Sequence, residues 1–186
     1  MICGVLVERL ASGLTLPSQA PATAFFQVAP YSSQPMIGLL QRVSEASIRV
    51  AGELVGQIGT GLLVLVAVER GDGPGQVRRL AERLVAYRVF PDAAGKMNLD
   101  VREAGGALLL VPQFTLAADT NRGNRPSFSG AADPAIGQEL FDALVREVAA
   151  QGARVATGRF GADMAVSLVN QGPVTFMLRT PPPPDA

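Results

Sequence analysis

Histidine and tryptophan are absent from this 186-residue chain, and cysteine (Cys3) and lysine (Lys96) occur once each. Without imidazole, no Ser-His-Asp, Cys-His or histidine-metal mechanism can be built within the chain. A lone cysteine forms neither an intramolecular disulfide nor a thiolate zinc cluster. Basic and acidic residues balance at 16 each, so no global field draws the chain to a polyanion, and such a partner must be met by a local patch. No apolar run reaches the ~20 residues of a membrane span. No basic segment leads into a sustained apolar stretch, so a secretory signal is not expected, and a cytoplasmic protein is. No internal repeat is visible. Chemistry is left to Thr, Ser, Asp, Glu, Arg, Tyr, backbone dipoles and the substrate's own groups. That favours catalysis by positioning and oxyanion stabilisation, with no metal or organic cofactor.

Apolar residues make up 48% of the chain and charged residues 17%, the balance of a globular domain with a sizeable core. Residues 1–35 differ from the rest: Glu8 and Arg9 are their only charges, and Pro17, Pro21, Pro30 and Pro35 stand among small polar residues. They read as a disordered extension ahead of a natural start at Met36. The run Pro181-Pro182-Pro183-Pro184 opens a tail, 181–186, that cannot extend a sheet. The expected folded body is 36–180.

Within that body, Leu39 to Val50 predicts a strand, Ala51-Gly52 a turn, and Glu53 to Ile58 a return strand. Leu62 to Val68 and Ala107 to Val111 are continuous apolar runs, the pattern of strands buried on both faces. Pro74 opens a helix whose core face is Val77, Leu80, Ala81, Leu84 and Val85. Asp133 caps a second, burying Ile136, Leu140, Leu144 and Val148 and ending near Gly152. Met164 to Val169 and Val174 to Leu178 are expected as two final strands around Gly172-Pro173. The reading is α+β: antiparallel or mixed sheets forming a barrel-like core, with two main helices.

Two segments carry chemistry. Strand residues through Pro112-Gln113-Phe114-Thr115-Leu116 run into the donor-rich loop Ala118 to Pro126, the kind of strand end where ligands are met. Taken alone, Gln113 and Thr115 fit plain strand-edge polars better than a site. Asn170-Gln171-Gly172-Pro173-Val174-Thr175 marks a specialised turn, and by local physics no more than that.

Together with Gln41-Arg42-Val43, Gly95-Lys96-Met97-Asn98-Leu99, Arg125-Pro126-Ser127-Phe128 and Thr157-Gly158-Arg159-Phe160, these segments resemble the D-aminoacyl-tRNA deacylase family over about Met36 to Leu178. The resemblance implies a homodimer with active sites at the subunit interface, hydrolysing the ester between a D-amino acid, or glycine, and the terminal ribose of tRNA. It implies that Gln113, Phe114 and Thr115 line the catalytic pocket of one subunit. Gly172-Pro173 is the family's Gly-cisPro pair, reaching in from the other subunit to receive the α-amino group and exclude an L side chain. Arg42 braces that pair, Asn170 belongs to the same segment, and Met164 packs on the same wall.

Pro112 departs from the pattern, which has Ser there. A related animal deacylase group also carries Pro-Gln at this place and tolerates small L-amino acids. The alternatives are therefore a deacylase of relaxed chirality, or a non-catalytic module binding the tRNA end. For hydrolysis, either Thr115 is a nucleophile, or backbone N–H groups near Phe114 and Thr115 hold the oxyanion while water or the ribose hydroxyl attacks; the lack of histidine favours the second. Arg122 and Arg125 are the expected tRNA contacts. On the first helix, Arg78, Arg79 and Arg83 are either a further RNA surface or internal pairs such as Arg78 with Glu82.

Overall fold

The computed structural model describes residues 36–121 and 123–180. The expected extension at 1–35, the tail at 181–186 and Arg122 lie outside the described residues.

Strand β1 (Met36–Val50) turns through Ala51 and Gly52, at φ 49° and 84°, into β2 (Glu53–Ile58). Two successive residues of positive φ are what a two-residue hairpin demands. β3 (Gly61–Ala67) then returns antiparallel along the first half of β1. Two crossovers follow. Helix α1 (Pro74–Ala86) and a small hairpin, β4 (Phe90–Pro91) with β5 (Met97–Leu99), lead to β6 (Ala107–Pro112), which lies parallel to β3. Helix α2 (Pro134–Ala150) leads to β7 (Arg154–Thr157), parallel to β6. β8 (Ala165–Thr180) runs antiparallel along the other edge of β1, from Met36 opposite Thr180 to Arg49 opposite Ala165.

The continuous apolar runs reflect two cores. Leu62, Val64, Val66, Leu108 and Leu110 face α1 and α2, where they meet Leu80, Leu84, Leu140 and Leu144. Their sequence neighbours Leu63, Leu109 and Val111 join Val43, Ala46, Ile48 and Ile58 on the opposite face. Alternate residues thus enter different cores, which leaves no polar position in the strand. The sheet curls, bringing β2 back against β6 and β7. Gly56 permits this, since a Cβ there would sit 2.6 Å from the Thr157 carbonyl oxygen.

Three sequence expectations are corrected by the fold, and two short elements were not expected. Ile136 is 48% exposed, and Gly137 and Phe141 face inward in its place, because the start of α2 packs under Phe160. The expected pair of final strands is one strand, β8, since β1 is long enough to hold both halves. β7 and the β4–β5 hairpin are too short to show a period. The Arg78–Glu82 pair does not form: Arg79 bridges Glu82 at 3.1 Å, and Arg83 donates to the Arg179 carbonyl at 2.8 Å.

Candidate active site

β6 ends at Pro112, which has no N–H to donate and so closes the strand's hydrogen bonding on that side. The next N–H, of Gln113, reaches the Val66 carbonyl at 2.7 Å. The chain then winds into one 3-10 turn, Phe114–Ala117, closed by Leu116 N–H to the Gln113 carbonyl and Ala118 N–H to the Thr115 carbonyl, both 3.2 Å. The expected continuation of the strand through Leu116 is corrected here: the strand stops at Pro112. A helical turn has no internal acceptor for its first N–H groups. The amides of Phe114 and Thr115 are therefore left over at the strand's end. The Gln113 side-chain amide donates to the Thr115 hydroxyl. Neither end of an amide removes a proton at neutral pH, so this contact orients the hydroxyl without activating it. The Phe114 ring is 58% exposed and lies 5.1 Å, centroid to centroid, from Phe128.

Beside this corner is a cavity of about 490 Å³ at the carboxyl ends of β3 and β6, walled by Val66, Val111, Gly137, Phe160 and Met164 among others. Clefts at the carboxyl ends of parallel strands are common ligand sites. Gln113 and Asp163 are polar points in a lining that is otherwise mainly apolar. Two glycines keep it open. A Cβ on Gly137 would stand 3.3 Å from the Phe160 ring. One on Gly158 would stand 2.8 Å from Met164 Sδ and 3.4 Å from Pro112 Cδ, so Met164 and Pro112 share one wall.

The second group of residues forms a bulge. Along the β1–β8 ladder, Gln41 pairs with Thr175 and Val43 with Asn170, so Arg42 alone opposes Gln171, Gly172, Pro173 and Val174. Those four residues loop out, with the Gly172–Pro173 peptide cis. Gly172 has φ 143°, and a Cβ there would meet Val174 Cγ2 at 2.6 Å. Arg42 fills the gap: Nε donates to the Gln171 carbonyl at 3.0 Å and Nη1 to the Val89 carbonyl. Asn170 closes the base of the loop, accepting from Val174 N–H at 2.9 Å and donating to the Thr175 hydroxyl at 3.0 Å. Its side chain is committed to the loop's shape.

The structure thus gathers Gln113, Phe114 and Met164 around the cavity, with Thr115 bonded to the Gln113 side chain, and Arg42, Asn170, Gly172 and Pro173 around the bulge. None of the latter four lines the cavity. Arg125 is exposed in the loop that Asp119 and Ser127 pin together through paired backbone bonds of 2.7 and 3.0 Å. Sequence reasoning missed Gly137, Phe160 and Asp163 as cavity residues and the Val89 carbonyl as an anchor for Arg42. A glycine on the buried face of a helix was a signal for the first, and Phe160 lay in the Thr157–Phe160 segment that carries the resemblance; Asp163 and the Val89 carbonyl had none.

The family profile described as D-Tyr-tRNA(Tyr) deacylase matches residues 39–179. A D-aminoacyl-tRNA deacylase of Methylococcus capsulatus is 64% identical over 147 residues, 79% of this chain and 96% of the relative. One from Thioalkalivibrio sulfidiphilus is 61% identical over 148 residues, 80% of this chain and 99% of the relative. Among solved structures, one titled c-Myc DNA Unwinding Element Binding Protein superposes with TM-score 0.74 at 31% identity, over 78% of this chain and 99% of its own. A probable eukaryotic D-amino acid tRNA deacylase shares the fold at TM-score 0.69 and 19% identity, over 78% of this chain and 99% of its own. No described helix is long and apolar enough to cross a membrane.

Proposed function

The chain belongs to the D-aminoacyl-tRNA deacylase family, and from that premise we propose where and how its reaction runs. The reaction itself is hydrolysis of the ester of D-aminoacyl-tRNA, which releases tRNA and the D-amino acid.

The site is the turn after Pro112. The observation that carries this is the pair of amides, Phe114 and Thr115, left without internal acceptors beside an apolar cavity. Donors fixed in a backbone turn stabilise the negative charge that develops on the ester carbonyl oxygen, with little reorganisation. Water or the neighbouring ribose hydroxyl attacks, and Thr115 with Gln113 positions the ester. The cavity is large enough to seat the terminal nucleoside, its flat base against Phe160 and Met164. Arg125 and Arg122 contact the phosphates of the tRNA end, and the balanced net charge keeps that contribution modest.

Chirality is read by the bulge of a second copy. In a homodimer, Gly172 and Pro173 of one subunit reach the corner of the other, and their carbonyls receive the α-amino group. An L side chain then collides with the turn, whereas a D side chain points away and glycine offers nothing to exclude. The exposure of the bulge, and its absence from its own chain's cavity, support this arrangement. We place the enzyme in the cytoplasm with its tRNA substrate. Pro112 on the cavity wall favours a second reading in which chiral discrimination is relaxed.

The test is a paired deacylation assay with D-Tyr-, L-Tyr- and Gly-tRNA on wild type and Thr115→Ala. Wild type is expected to cleave the D-Tyr and Gly esters and spare the L-Tyr ester. Equal rates on the two Tyr substrates support the relaxed reading, and no turnover on any supports a binding module. Thr115→Ala is expected to lose about 10²–10³-fold in rate, the scale of one lost positioning or oxyanion contact. A loss near 10⁶-fold, or an acyl group trapped on Thr115, makes it a nucleophile instead.

A further inference from the structure

Away from the corner and the bulge, a buried carboxyl group, Glu69, and a half-buried one, Asp72, stand where β3 leads into α1. Glu69 is 3% exposed, and its Oε2 has no hydrogen-bond partner among the described residues. Asp72 Oδ2 accepts from the Glu69 N–H at 2.7 Å, while its Oδ1 is buried and unpartnered among the described residues. The backbone N–H of Met36 also faces Asp72. Buried carboxylates ordinarily have their oxygens filled by donors. Here both peptide N–H groups, of Glu69 and Met36, face Asp72, while Glu69 has beside it the Asp72 carboxyl and, as its facing cation, Arg179 of β8. Arg179 is exposed, as is Arg70, and neither forms an ion pair with these groups within 4.0 Å. Burial pushes Glu69 up to about 7, against the opposing pull of Arg179, and pushes Asp72 up to about 6, against the N–H groups of Glu69 and Met36.

Met36 is fully buried, pairs with Thr180 in the β1–β8 ladder, and its carbonyl accepts from the Thr180 hydroxyl at 3.3 Å. A peptide nitrogen at Met36 offers one donor and no charge. An α-ammonium at the same atom offers three donors and a full positive charge, which is what two part-filled carboxyl groups lack. The length of relatives points the same way: the 148 residues matched in the Thioalkalivibrio protein are 99% of it but 80% of this chain.

We propose that Glu69 and Asp72 form a receptor for the chain's own α-ammonium at Met36, so that the working form of the protein begins there with its methionine retained and its amine unblocked. The contact then acts as a lock on β1, the central strand. In a chain that continues through Met36, the two carboxyl groups bind protons more tightly when folded than when unfolded. Stability of that form falls as pH rises from the unfolded values near 4 to the folded values near 6 and 7. In the free-amine form both carboxylates are ionised and paired. That contribution is present at neutral pH, and is lost as pH falls through the now depressed carboxylate values or rises past the amine's raised value.

Three chains test this by thermal unfolding between pH 4 and 9: all 186 residues, a chain starting at Met36 with a free amine, and the same chain N-acetylated. The shortened chain is a fair subject, since the family profile spans residues 39–179 and a relative at 61% identity is matched over 99% of its own length. At pH 7.5 the free-amine form is expected to melt about 4 °C or more above the acetylated one. The gap should close at pH 4, and the full chain should follow the acetylated profile. Glu69→Gln with Asp72→Asn should abolish the gap. Coincident profiles of the free and acetylated forms overturn the proposal, as does a gap that survives the double variant. A second readout uses the single lysine: an amine-acylating reagent should modify Lys96, which is exposed, and spare the α-amine until the protein unfolds. Equal reactivity of the two amines in the folded protein also overturns it.

Discussion

The corner at Gln113–Thr115 and the bulge at Gly172–Pro173 are both breaks in a strand, but they are held in opposite ways. Backbone bonds hold the corner: Gln113 N–H to Val66, and the two bonds of the 3-10 turn. Its cavity is walled by its own chain. Side chains hold the bulge, with Arg42 donating to two carbonyls and Asn170 clamping both ends of the loop. Among the described residues, nothing encloses it. From Ala165 to Gln171, β8 alternates between exposed and half-exposed residues, from Gly172 to Met177 all but Val174 are exposed, and Val169 and Met177 are each 50% exposed. A firmly shaped loop on an exposed edge strand is what the proposed two-fold arrangement needs: in that reading the bulge of one copy completes the corner of the other.

The most damaging way to probe that division is at Gly172. A valine there puts a branched side chain at φ 143°, with its Cβ 2.6 Å from Val174 Cγ2 and 3.2 Å from Arg42 Nη2. The bulge must shift by an ångström or so, and misplacement on that scale costs about 10²-fold in rate. Gly172→Val is expected to lose at least that on D-Tyr-tRNA while its far-ultraviolet circular dichroism stays unchanged. Mixing it with Thr115→Ala after co-refolding sharpens the comparison. If corner and bulge meet across a two-fold interface, random pairing makes half the dimers mixed, each with one intact site, so about a quarter of wild-type activity returns. If the two regions meet within one chain, mixing restores nothing.

A smaller effect is expected on the cavity side. Gly137 lies under Phe160, where a Cβ would already stand 3.3 Å from the ring. Gly137→Val should push the ring into the cavity. Because Val outranks Gly as a helix former, part of the crowding cost is offset. KM for D-Tyr-tRNA is expected to rise about tenfold, equivalent to ~1.4 kcal/mol, with kcat nearly unchanged. A fall in kcat with constant KM would mean the cavity does not bind the nucleoside end.

How legible these regions were follows the range of the forces that shape them. The hairpin at Ala51-Gly52, the strand Glu53–Ile58 and the helix opened by Pro74 rest on local turn chemistry and period, and the sequence showed them with little error. The apolar runs showed that β3 and β6 are buried on both faces, but not that they lie parallel, which depends on crossovers. The corner was read as strand because Phe114, Thr115 and Leu116 are strand-prone residues. What turns them into a 3-10 turn is Pro112 ending the ladder against Val66 in a neighbouring strand. The bulge was read as a turn between strands for a similar reason: only the register of β1 shows that Arg42 faces four residues. The residues of both regions were nonetheless nameable, because a resemblance carried by many short segments does not depend on local conformation.

The gentlest probe is Arg42, which acts on the bulge without touching the substrate. Its guanidinium ties the Gln171 carbonyl to the Val89 carbonyl, fixing the loop relative to the chain just after α1. Removing it leaves two carbonyls without this donor, while Asn170 still closes the loop's base. The loop should therefore persist but wander. If discrimination between D and L rests on the steric wall proposed above, a wall that moves by a few tenths of an ångström first admits the wrong hand. Arg42→Ala is expected to lower the D-Tyr to L-Tyr rate ratio about tenfold, the order of one charge-assisted hydrogen bond, with the D-Tyr rate reduced severalfold. Arg42→Lys keeps a charge but cannot span both carbonyls with one planar group, so it should restore the ratio only in part. Should Arg42→Ala abolish both rates with the ratio intact, Arg42 holds the fold or the dimer together, and the bulge keeps its shape through Asn170 alone.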